Sequence, residues 1–181
     1  MLRRTPDQPP GPGVWAPRGR RMLASPHTMA TCKTEQMTTR TAQCACGRLR
    51  VTVRGEPLMV GVCHCDFCQK RSGSVFAASA CFGDDQLVEI IGEAKIYNGL
   101  KIDGVGTAAG GGSVDYFFCP MCGSSVYHVA DGLPGLFVDV GNFVDPDFPA
   151  PKSELYTNLR HHWLSSVPAA TQFQTLPTTL E

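Results

Sequence analysis

The sequence predicts a mainly β domain of short strands whose turns carry metal-binding cysteines. Three observations predict it. Apolar and polar residues alternate with period two in several short runs. Glycines and prolines interrupt those runs at short intervals, and no helical stripe of apolar residues extends far. Seven of the nine cysteines fall in three tight clusters beside the runs.

Residues 1–38 stand apart from this pattern. They carry Pro6, Pro9, Pro10, Pro12, Pro17 and Pro26 among Arg3, Arg4, Arg18, Arg20 and Arg21, with no apolar periodicity. Such a segment buries too little surface to offset its ordering entropy, so it reads as a disordered tail or as translation assigned upstream of Met29 or Met37. Its prolines argue against the amphipathic helix of an organelle transit peptide, and residues 1–30 lack the apolar stretch of a secretory signal.

The β pattern begins near residue 43. Leu49, Val51 and Val53 alternate with Arg48, Arg50, Thr52 and Arg54, as in a half-buried strand. Val60 and Val62 lead into a cysteine cluster, and a run from Val75 to Phe82 follows Gly73. Leu87–Ile91 and Lys95–Tyr97 flank Gly92-Glu93, which reads as a hairpin turn. Val114–Phe118, Ser125–Val129 and Leu136–Val140 complete the strands, the last two separated by Asp131-Gly132 and Pro134-Gly135. Between residues 98 and 113, Gly104, Gly106 and Ala109 match a dinucleotide-binding fingerprint by letter. No convincing strand precedes them and three glycines stand where a helix would begin, so 104–113 reads as a flexible surface loop and a candidate lid.

The cysteines carry the chemistry. Cys44 and Cys46 form a C-x-C-G step, Cys63, Cys65 and Cys68 a C-x-C-x-x-C run, and Cys119 and Cys122 a C-x-x-C-G knuckle. Such spacings let a tight loop aim its sulfurs at one ion, and the following Gly47 and Gly123 tolerate the positive φ the loop requires. Four ligands close a tetrahedral zinc site, whereas a working site keeps a position open. The two pairs therefore predict a structural zinc on Cys44, Cys46, Cys119 and Cys122. The triplet Cys63, Cys65 and Cys68 predicts a second, open zinc site, giving two zincs per chain. Disulfides would need an oxidising compartment. A redox dithiol at Cys119-x-x-Cys122 would open a helix, yet the residues after it read as a strand. Cys32 and Cys81 stand alone and read as non-ligands.

The chain has 181 residues, enough for one domain, with 43% hydrophobic residues and a formal net charge of zero. Its isoelectric point near 6.9 gives no electrostatic reason to expect nucleic acid or an anionic membrane as partner. No apolar stretch is long enough to span a bilayer. These features predict a cytoplasmic protein with reduced thiols.

Cys44-Ala45-Cys46-Gly47, Cys63-His64-Cys65-Asp66-Phe67-Cys68 and Phe118-Cys119-Pro120-Met121-Cys122-Gly123 together resemble the glutathione-dependent formaldehyde-activating enzyme family. Gln69-Lys70-Arg71-Ser72-Gly73 and Arg160…Trp163 extend the resemblance, which covers about residues 39–165 and leaves 166–181 as a C-terminal extension. It implies a zinc-stabilised β-tent of short antiparallel strands in packed sheets, like that of a small zinc-binding Rab-interacting protein. It also implies a carbon–sulfur lyase, an S-(hydroxymethyl)glutathione synthase-like enzyme, with glutathione as co-substrate and small thiols and aldehydes as partners. The same two cysteine sets correspond to the family's structural zinc and to its second zinc. The glycine-rich loop and the long tail depart from the family's pattern.

Around the triplet, His64 is a candidate proton relay or a partner of nearby backbone. Asp66 orients a ligand or caps a turn. Lys70 and Arg71 pair with glutathione's carboxylates or form a solvated basic face. Ser72, with Gly73 and Ser74, offers amides to a substrate anion or makes an ordinary turn. Tyr156, Arg160 and Trp163 are candidates to line a pocket, with a core position the alternative for Trp163. His161 and His162, being adjacent, point apart and read as non-ligands. Three thiolates donate much charge to an ion, which favours capture of a substrate thiol over strong carbonyl activation. The alternative from another class is a non-catalytic zinc-stabilised binding module.

Overall fold

The computed structural model describes residues 38–99, 113–133 and 135–177. The proline- and arginine-rich segment before residue 38, Cys32 and the glycine-rich stretch 100–112 lie outside them.

The described residues form eleven strands and one α-helix: β1 (Thr39–Gln43), β2 (Arg50–Arg54), β3 (Met59–Cys63), α1 (Asp66–Ser72), β4 (Ala77–Phe82), β5 (Leu87–Ile91), β6 (Lys95–Gly99), β7 (Val114–Phe118), β8 (Ser125–Ala130), β9 (Leu136–Asp139), β10 (Ser153–Leu155) and β11 (Thr171–Phe173). They build a three-stranded sheet, β1-β2-β5, and an eight-stranded sheet, β11-β10-β3-β4-β9-β8-β7-β6. Pairing is antiparallel except at β10, which runs parallel to both β3 and β11. The fold is mainly β, as the alternation predicts.

β2 lies between β1 and β5. Leu49, Val51 and Val53 are fully buried, so the alternation there marks a core face. Thr52, on the other face, is also buried, and its hydroxyl lies 3.1 Å from that of Thr41. The core joins both sheets: Ala42, Val51 and Val53 of the small sheet cluster with Val60, Ala80, Phe82, Val126, Leu136 and Val138 of the large one. Burying these aliphatic faces supplies most of the driving force for closing the sheets.

Gly92-Glu93 does not make the expected hairpin. β5 pairs with β2 in the small sheet and β6 pairs with β7 in the large one, so the turn carries the chain between sheets. Gly92 has φ 99°, and a Cβ there would sit 1.9 Å from the Arg48 carbonyl oxygen. The close crossing over Arg48, rather than a reversal between paired strands, is what requires glycine.

Helix α1 was not expected either. Its seven residues are too few to display a helical period, and its ends are set by local chemistry. The Cys65 sulfur accepts from the Cys68 amide at 3.4 Å at the start. Gly73, with φ 64°, ends it in the left-handed conformation and donates its amide to the Gln69 carbonyl. Trp163 is no core residue: it is 59% exposed on a surface turn, its ring 5.7 Å from that of His161.

Candidate metal centres and the adjoining cleft

Two turns make the four-sulfur cluster, and they share one hydrogen-bond plan. In the β1–β2 turn the Cys44 amide donates to the Leu49 carbonyl at 2.9 Å and the Gly47 amide to the Cys44 carbonyl at 2.8 Å. In the β7–β8 turn the Cys119 amide donates to the Ser124 carbonyl at 2.9 Å and the Gly123 amide to the Cys119 carbonyl at 2.9 Å. Gly47 and Gly123 adopt φ of 72° and 73°, as the cysteine–glycine steps predict. The Ala45 amide donates to the Ser124 hydroxyl at 3.1 Å and ties the turns together.

The Cys44 and Cys46 sulfurs are 3.5 Å apart, and Cys46 and Cys119 3.7 Å. All four ligand atoms, with Cys122, lie within 4.8 Å of one another. These separations are far beyond a disulfide bond of about 2.05 Å. They match the edge of about 3.8 Å in a tetrahedron with zinc–sulfur bonds of about 2.3 Å. Burial raises the Cys44 thiol, but the Leu49 amide and the Cys46 and Cys119 thiols bring it below its ordinary value. The Ser124 hydroxyl and amide bring Cys122 down to about 5. Cys119 and Cys122 precede strand β8, not a helix, so they lack the helix N-terminus that activates a redox pair.

The triplet is built differently. Cys63 ends β3, Cys65 caps α1 and Cys68 lies in its first turn. Their sulfurs fall within 4.8 Å of one another, and all three residues are partly buried. Hydrogen bonds from Cys63 and Cys68 hold Cys65 far below its ordinary value. Cys63 is pushed up to about 11, first by Cys65, and Cys68 is pushed up by Cys63 and Cys65. Hydrogen bonding within the trio favours the thiolate of Cys65 over those of its neighbours, and a bound dication would favour the thiolate of all three. The donor set therefore fits a thiophilic metal ion. Among the described residues, these three form the cluster without a fourth histidine, cysteine or carboxylate.

His64 lies between two of these thiols and is buried. Its Nε2 is 2.8 Å from Oε1 of Glu154, a carboxylate on β10, rather than bonded to backbone. The Arg160 guanidinium reaches the same oxygen at 3.2 Å, and the Val167 amide donates to Oε2 at 3.3 Å. Burial alone would raise the Glu154 carboxyl; the bonds from His64, Arg160 and Val167 bring it below its ordinary value. Gln69 donates to the His64 carbonyl at 2.7 Å, and its Oε1 lies 3.1 Å from His161 Nε2. Tyr156 follows β10 with φ 56°, and burial and the three triplet thiols raise its phenol.

The remaining candidates lie along α1. Asp66 is its exposed first residue and sits 3.6 Å from Lys70 in an i,i+4 pair. The Ser72 hydroxyl donates to the Cys68 carbonyl at 2.7 Å and accepts from the Ser74 amide at 3.2 Å, which turns it inward on the helix end. Arg71 is buried. Its guanidinium pairs with Asp139 at 3.0 Å, donates to the Ser125 hydroxyl at 2.7 Å and lies 4.6 Å over the Tyr116 ring, fastening α1 to β8 and β9. A cavity of about 430 Å³ opens beside the helix, lined by Phe67, Lys70, Arg71 and Tyr97. Phe67 continues directly into Cys68, so cleft and triplet share one helical turn. Cys81 is buried in β4, and burial pushes its thiol up to about 11. Glu154 and Asp139 escaped the sequence reading; an isolated acid in a short strand carries no spacing signal.

Compared with models of known families, residues 39–159 match the glutathione-dependent formaldehyde-activating enzyme. The chain belongs to that family. Comparison with curated proteins finds no match. The matched region of this formaldehyde-activating-enzyme relative holds both thiol clusters, the cleft and Glu154; Arg160, Val167 and β11 lie beyond it. The family is associated with formaldehyde activation by glutathione, and the thiol clusters here could hold metal ions. Among the described residues no helix is long and apolar enough to cross a membrane.

Proposed function

We propose that this chain is a zinc-dependent carbon–sulfur lyase-type enzyme that makes and breaks the adduct of glutathione, or a related thiol, with formaldehyde or another small aldehyde. The reading is carried by a three-thiol cluster, one ligand short of closure, at the start of the helix whose Phe67, Lys70 and Arg71 line a cleft. Cys44, Cys46, Cys119 and Cys122 hold a structural zinc, and Cys63, Cys65 and Cys68 a second. Held by Cys63, Cys65 and Cys68, a zinc ion would supply an open position that lowers the pKa of a substrate thiol.

The chain's own residues supply binding and orientation. Lys70, exposed and only loosely paired with Asp66, meets a glutathione carboxylate. Arg71, fixed by Asp139, shapes the cleft and adds positive potential rather than a free bidentate contact. Phe67 and Tyr97 wall the adduct and limit water. Ser72 holds the end of α1, and His64, bonded to Glu154, holds the loop between two ligands instead of carrying protons. A reducing compartment such as the cytoplasm suits these thiols.

Exchange spectroscopy of glutathione and formaldehyde by NMR tests the reading. Zinc-loaded protein is expected to raise the rate of adduct exchange above the uncatalysed blank, and protein stripped of the triplet metal is not. Equal rates with loaded, stripped and no protein would instead support a zinc-stabilised binding module.

A further inference from the structure

The residue between the first two triplet thiols is fixed on three sides. The His64 amide donates to the Leu155 carbonyl of β10 at 3.0 Å. Its carbonyl accepts from Gln69 at 2.7 Å. Its ring, 2% exposed, meets the edge of Phe76 at 5.8 Å and bonds through Nε2 to Glu154, itself 1% exposed. Burying a carboxylate this deeply is costly unless every oxygen is matched. Here both are: Oε1 by His64 and Arg160, Oε2 by the Val167 amide. The cavity beside α1 is lined by Phe67, Lys70 and Arg71 of the helix and by Tyr97 of β6, not by His64 or Glu154.

The cost of that arrangement calls for a return, and the geometry points to one. We propose that Glu154 is a positioning residue for the triplet: by clamping the His64 ring it sets the backbone between Cys63 and Cys65, and so holds the three sulfurs at ion-binding spacing before the ion arrives. The inference rests on the triplet being a metal site. A loop left unclamped samples other spacings and must be ordered when the ion binds, a cost that a clamped loop avoids. β10 lies in parallel register with β3, Leu155 opposite Cys63 and Glu154 opposite Val62, which brings the carboxylate to the histidine. The clamp is completed from beyond the family-matched region, by Arg160 and Val167.

Cobalt(II) binding to the full chain, with the four-thiol site left zinc-loaded, tests this. Wild-type protein whose triplet metal has been removed by a mild chelator is titrated with cobalt and followed by thiolate-to-cobalt charge transfer and by the d–d bands. Glu154→Ala is expected to weaken cobalt binding about 10–100-fold and to alter the d–d bands, with the zinc content of the four-thiol site unchanged. Glu154→Gln, which keeps an acceptor for His64, is expected to restore most of the affinity and the wild-type spectrum. Should Glu154→Ala fail to fold, the double substitution His64→Leu/Glu154→Leu removes both polar partners together and is expected to show the same loss. Wild-type affinity and spectrum in Glu154→Ala, or in the double variant where Glu154→Ala does not fold, would overturn the proposal. Absence of cobalt–thiolate absorption in the wild-type protein would instead overturn the metal reading beneath it.

Discussion

Single residues divide into those that hold the fold and those that hold the second site. Cys119 is buried at the junction of the two knuckles, and structural zinc supplies folding free energy, so Cys119→Ser is expected to unfold or precipitate the protein. Cys65→Ser is expected to leave the far-ultraviolet circular dichroism intact and to lose one metal per chain by elemental analysis. His128 adds a pH dependence. Its ring is stacked on Phe137 and meets the tilted ring of Tyr116, and burial pushes it down to about 4 from an ordinary value near 6.5. Between those values the unfolded chain binds a proton that the folded one refuses, so stability falls as pH drops from about 6.5 toward 4. The loss is up to about 3 kcal/mol. Urea denaturation across that window is expected to show the slope, and His128→Phe, which keeps the ring stack, to flatten it. The thiol clusters were legible because ligand spacing is local. Glu154 was not, because its meaning arises only when a strand from ninety residues away is laid against Cys63.

At the scale of elements, the strands announced themselves by alternation, but their pairing did not. Leu87–Ile91 and Lys95–Tyr97 look like hairpin arms in sequence, since nothing local states which neighbour each will hydrogen-bond. The deciding fact is the approach of Gly92 to the Arg48 carbonyl, a contact between distant segments. Gly92→Ala must both adopt a positive φ and displace that carbonyl. It is expected to cost about 2 kcal/mol or more, read as a lowered urea midpoint with an unchanged denaturant slope. Helix α1 was hidden for another reason. Seven residues cannot show a period, and its N-cap is a cysteine, a residue read for its sulfur chemistry and not for its place at a helix start.

For the whole molecule, the two clusters differ in what they support. The four-thiol site joins the turn of the small sheet to a turn of the large one, whereas the triplet sits where one strand passes into one short helix. A mild chelator is therefore expected to remove one zinc with secondary structure retained, and a stronger one to remove the second and unfold the chain, both followed by metal release and circular dichroism together. Loss of both metals in a single step, together with the fold, would count against this division.

The parallel seat of β10 beside β3 also has a consequence for how the protein is made. Cys63, Cys65 and Cys68 leave the ribosome long before Glu154, Arg160 and the strand at Thr171–Phe173 that flanks β10. During synthesis the trio waits as three bare thiols, and its scaffold arrives last. The nascent chain is thus most open to oxidation, or to the wrong ion, during the interval when its final third is still unwritten.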